Sequence, residues 1–66
     1  MAREPIAVGT KVAVIRTRHG WHDGALEATV TNRWPRPTGT WSYMVRDLEG
    51  TEHEVNHTRD MRAIRG

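Results

Sequence analysis

The chain contains no cysteine and no phenylalanine, holds a single lysine, and has no apolar run near the ~20 residues that span a bilayer as a helix. Without cysteine there is neither a disulfide framework nor a thiolate zinc site. A chain of 66 residues must then draw its stability from packing, self-association or a partner. That length lies near the lower edge for an independent core and allows one small domain at most. No charged-then-apolar leader opens it. The expectation is a cytoplasmic protein with no membrane partner.

What is present in excess is arginine. Ten basic residues stand against eight acidic ones for a net charge of +2, and all the bases but Lys11 are arginine. Arginine suits bidentate phosphate contacts and stacking on aromatic faces better than lysine does, although GC-rich codon usage also favours it. A charge of +2 steers nucleic acid weakly over distance unless the bases cluster.

Residues 1–8 read as a flexible N-terminal arm and 9–66 as a single domain. Lys11 to Thr17 is rich in β-branched residues, with Val12 and Val14 alternating against Lys11 and Ala13. His19 to Gly24 reads as a turn-rich loop bounded by glycines. A second strand follows from Ala25 to Arg33 or Trp34, with Leu26, Ala28 and Val30 on one face and Glu27, Thr29 and Thr31 on the other. Pro35 to Thr40 carries two prolines and reads as a loop or hairpin tip. Trp41, Tyr43 and Val45 alternate along a third strand, Trp41 to Arg46; Asp47-Leu48-Glu49-Gly50 is a tight turn, and a fourth strand runs from Thr51 to Val55. Asn56 to Asp60 offers turn and capping chemistry, with one short helical turn, before a last strand around Arg62-Ala63-Ile64. Five short strands without a long amphipathic helix predict an all-β, five-stranded antiparallel barrel. Val12, Val14, Leu26, Ala28, Val30, Tyr43, Val45, Val55 and Ile64 are expected to face inward.

The order of features resembles the Tudor and SH3-like small barrels. The likeness rests on Val8-Gly9-Thr10-Lys11-Val12-Ala13-Val14, Ala28-Thr29-Val30, Tyr43-Met44-Val45-Arg46, Glu49-Gly50-Thr51-Glu52-His53-Glu54-Val55 and Met61-Arg62-Ala63-Ile64, and spans roughly residues 8–64. The resemblance implies a five-stranded barrel that binds peptides, nucleic acids or other proteins. A methyl-lysine cage is not implied, because Trp21, Trp34, Trp41 and Tyr43 do not fall where the Tudor pattern puts its cage, and Ile15 sits near a place where that pattern often has an aromatic.

The segment Arg33-Trp34-Pro35-Arg36-Pro37-Thr38-Gly39-Thr40-Trp41 places two arginines and two tryptophans around a proline-stiffened tip. Indole stacks bases and guanidinium holds phosphates, so the segment suits nucleic acid. Trp34 and Trp41 also continue the parity of core residues on their strands, so each reads equally as core or as ligand contact. Trp21, between glycines, is expected to be exposed. His19, His22, His53 and His57 have His-x-x-His and His-x-x-x-His spacing, yet lack a cysteine and a shared helical face, so they read as ordinary histidines and no metal is expected. Asp47, Glu49, Glu52 and Glu54 read as a solvated hairpin face. No nucleophile elbow or phosphate-cradling glycine loop is present.

These features predict a non-enzymatic module that binds nucleic acid, DNA or RNA, through Trp21, Arg33, Trp34, Arg36, Trp41, Arg16 and Arg18. No cofactor and no small-molecule substrate are expected. The alternative is a protein-interaction module or small regulatory inhibitor that docks on a larger protein. On this reading, replacing Arg33 and Arg36 together weakens nucleic-acid binding and leaves the fold intact.

Overall fold

The computed structural model describes residues 5–64. It is all-β: β1 (Lys11–Thr17), β2 (Gly20–Pro35), β3 (Trp41–Asp47), β4 (Glu52–Val55), a 3-10 turn (Thr58–Asp60) and β5 (Met61–Ala63). The five strands form one antiparallel sheet in the order β4-β3-β2-β1-β5. That arrangement is compatible with an SH3-like fold. "Barrel" is too strong a word, because the sheet curls without closing, and β4 and β5 remain its edges. A single backbone hydrogen bond from Arg18 N–H to Glu54 O, 2.8 Å, links the end of β1 to β4 across the curl. No helix among the described residues is long and apolar enough to cross a membrane.

The core forms from inward residues of all five strands: Val12, Val14, Ala28, Val30, Tyr43, Val45, Val55 and Met61. The ladders set them against one another, Val12 opposite Ala28, Val30 opposite Val45, Tyr43 opposite Val55 and Val14 opposite Met61. Leu26, Trp41 and Ile6 pack around them, partly buried. Ile64, expected inside, is 37% exposed. The 3-10 turn ends with the Met61 N–H on Thr58 O, so β5 starts at Met61 with that side chain inward. Ile64 then shares the outward phase of Arg62. Of the arm expected over 1–8, residues 1–4 lie outside the described residues.

Two irregularities in β2 decide where the candidate site residues go. The first replaces the expected loop from His19 to Gly24. The turn shrinks to Arg18 and His19, and β2 already begins at Gly20, paired with Thr17. Between Val14 opposite Leu26 and Arg16 opposite Trp21, the single residue Ile15 faces His22 to Ala25. Gly24 and Ala25 absorb this excess in the left-handed region, at φ +74° and +65°. Glycine reaches that region freely, while alanine is strained there. The second irregularity lies at Thr31, where the register passes from Val30 opposite Val45 to Asn32 opposite Met44. One extra residue on one strand is a β-bulge, and it reverses the facing of everything beyond it.

Candidate nucleic-acid interface

The bulge at Thr31 settles the two tryptophans of the β2–β3 tip. Beyond it Arg33 lies opposite Tyr43 and takes the inner face, while Trp34 lies opposite Ser42 and leaves that face. Trp41 keeps the phase of Tyr43 and packs partly on the core. Arg33 spreads its guanidinium over the Trp41 ring, 5.5 Å from the centroid, and donates from Nη1 to Ile6 O at 3.1 Å. It therefore fastens the N-terminal segment to the sheet. Arg36 sits in the turn that closes with Arg36 N–H on Thr40 O at 2.8 Å, and its Nη1 donates to Asn56 O at 3.4 Å. The arginines of the tip are held by the chain's own carbonyls.

The β1–β2 end is arranged differently. Arg16 and Trp21 are direct cross-strand partners, and the Arg16 guanidinium lies 5.3 Å from the indole centroid. Trp21 is 70% exposed, so most of the ring remains open to a ligand. The exposed Arg18 side chain forms a loose pair with half-buried Glu54 at 3.8 Å; pairs of this kind near the surface contribute ~0–1 kcal/mol.

A polar cleft of about 110 Å³ opens beside these residues. Arg16 and Thr17 line it from the end of β1, Arg18 from the turn that follows, and Asn56, His57 and Asp60 from the segment after β4. Since Arg36 reaches Asn56 O, three of the four candidate arginines border this one segment. Tyr43 holds it in place: its hydroxyl shares a hydrogen bond with Thr58 Oγ1 at 3.2 Å and accepts one from Ile6 N–H at 3.2 Å. In sequence, Asn56, His57 and Asp60 signal only turn chemistry. Nothing in their spacing signals that the curl brings them under Arg16 and Arg18.

The histidines divide. His53 is hydrogen-bonded to Asp47 Oδ2 at 2.8 Å, and His22 meets the His53 ring edge-on with centroids 6.0 Å apart. His57 lines the cleft. Among the described residues no three metal-ligating side chains converge. Asp47 does more than solvate the hairpin: its Oδ1 accepts from the N–H groups of Glu49 and Thr51, both at 2.9 Å. The His53 hydrogen bond, followed by that from Thr51 N–H, holds the Asp47 carboxyl below its usual range.

No family model, curated protein or solved structure matches the chain.

Proposed function

We propose that the protein is a non-enzymatic, SH3-like module that binds nucleic acid at the β1–β2 end. The observation that carries this reading is the Arg16–Trp21 pair, an open indole backed by a guanidinium, standing beside a cleft lined by Arg16 and Arg18. Stacking on indole is tolerant of base identity, and guanidinium groups track the phosphates. Arg33, Trp34 and Trp41 are half-buried, and Arg33 and Trp41 are engaged with each other, with Ile6 and with the core, so this reading leaves all three out of the ligand contacts.

Fluorescence anisotropy with labelled single- and double-stranded oligonucleotides at two salt concentrations tests the reading. Arg16→Ala and Arg18→Ala should each flatten the salt dependence by about 0.7–0.9 log units per lost phosphate contact. Trp21→Ala should cost about 1–3 kcal/mol through the lost base stack. Absence of binding by the wild-type protein at low salt would overturn it. Protein docking is the second reading, favoured by the open edges at β4 and β5, which present unpaired backbone groups to an added strand.

A further inference from the structure

Asp60 is the least expected residue of the cleft. It is only 6% exposed, yet none of the described residues donates a hydrogen bond to its carboxylate or forms an ion pair with it. A buried carboxylate without a donor is costly unless something reaches it. Among the described residues, the one sealed side-chain atom without a partner is His22 Nε2, so the Asp60 oxygens are reached from the cleft that Asp60 lines. The cleft is thus lined by an acceptor-only carboxylate together with Arg16 and Arg18.

That combination is a poor fit to a bare phosphate, which would face the carboxylate. It fits a ligand that carries an anion together with polarised N–H donors a short distance away, as a nucleotide does. The bases differ in what they offer a carboxylate. Thymine and uracil present one imide N–H between two carbonyl acceptors. Cytosine and adenine each present one amino donor beside a ring-nitrogen acceptor. Guanine alone presents two adjacent, parallel donors, N1–H and the N2 amino group, which match the two oxygens of a carboxylate as a guanidinium fork does. In a duplex those donors are occupied by cytosine, so the base must come from a single strand, where base edges are free to be read.

We infer that the cleft is a guanine pocket for single-stranded nucleic acid, with Asp60 accepting from N1–H and N2–H. Arg16 and Arg18 hold the flanking phosphates, and Trp21 stacks a neighbouring base. The inference rests on the nucleic-acid reading above and adds base selectivity to it.

The test uses the full chain and labelled thymidine nonanucleotides whose central base is thymine, guanine or hypoxanthine, the last lacking the N2 amino group. The expected result is that the guanine strand binds about tenfold tighter than the all-thymine strand, the gain one bidentate base contact provides. Hypoxanthine should lose most of that gain. Asp60→Asn, which puts an amide donor against guanine's donors, should erase the preference and keep the salt-sensitive binding common to all three strands. If that variant does not fold, as judged by circular dichroism, the guanine–hypoxanthine comparison on the wild-type protein decides alone. Equal binding of all three strands overturns the guanine pocket and leaves the nucleic-acid reading standing. Binding of none overturns both.

Discussion

Tyr43 and Asp47, four residues apart on β3, each organise a different end of the sheet through one side chain. Tyr43 is fully buried, and its hydroxyl joins the N-terminal segment to the 3-10 turn that floors the cleft. Tyr43→Phe keeps the ring and strands two polar partners. A loss of about 1–3 kcal/mol is expected, read as a fall in melting temperature of about 4–8 °C per kcal/mol for a domain this small. Asp47 anchors the β3–β4 turn through Glu49 and Thr51 N–H and meets His53. Its carboxyl titrates lower folded than unfolded, so it contributes stability above the unfolded value of about 3.9, and that contribution is lost as pH falls through the lower folded value. Asp47→Asn should therefore melt lower than wild type at neutral pH, and the gap should narrow as the buffer is acidified below about pH 4. A gap that is constant with pH would show that the carboxylate's charge is irrelevant. Ala25 offers the opposite sign. Its left-handed backbone costs alanine about 1–2 kcal/mol, while glycine's added chain entropy takes back about 0.5–1. Ala25→Gly should raise the melting temperature slightly, by the equivalent of up to about 1.5 kcal/mol.

The strands themselves were legible wherever period two runs unbroken. Leu26, Ala28 and Val30 in β2, and Tyr43 and Val45 in β3, face where their alternation puts them. The alternation misleads at Trp34 because a bulge depends on the partner strand as well as on the residues that form it: Thr31 is an ordinary strand residue until its pairing with β3 is known. The same holds for the β1–β2 connection. Glycines at 20 and 24 signal a loop in one dimension, but in the sheet they let β2 continue through a wide bulge opposite Ile15. Trp21's exposure was therefore readable from its glycine-flanked setting, while its pairing with Arg16 was not. Asp60 was invisible as a site residue, since an aspartate in a turn ordinarily caps a backbone and only the curl of the sheet buries it. The displaced facing of β2 has a measurable consequence at Arg33. With its hydrogen bond to Ile6 O and its contact with Trp41, Arg33→Ala should destabilise the fold by about 1–2 kcal/mol. An unchanged melting temperature would return Arg33 to the solvent-facing role its sequence position suggested.

At the scale of the whole molecule, an open sheet leaves β4 and β5 as edges, and both carry charge: Glu52 and Glu54 on β4, Arg62 on β5. Charged residues along an edge discourage unspecific strand pairing. The arginines are divided between two tasks, and salt separates those tasks. An arginine that contacts phosphate displaces counterions, so its removal lowers the slope of log affinity against log salt by about 0.7 for a single strand. An arginine that holds the sheet together changes the folded fraction and leaves that slope as it was. Among the described residues, the Arg16 and Arg18 guanidinium groups donate to no carbonyl, whereas those of Arg33 and Arg36 donate to Ile6 O and Asn56 O. The double variant Arg16→Ala with Arg18→Ala should therefore flatten the slope by about 1.4 while melting close to wild type. Arg33→Ala with Arg36→Ala should melt lower and, at a temperature where it remains folded, bind with the wild-type slope. The measurement is an anisotropy titration of each variant at four salt concentrations, paired with a thermal melt in the same buffers. If the two pairs exchange roles, so that the second flattens the slope and the first does not, the ligand lies on the proline-stiffened β2–β3 tip and the β1–β2 interface is wrong.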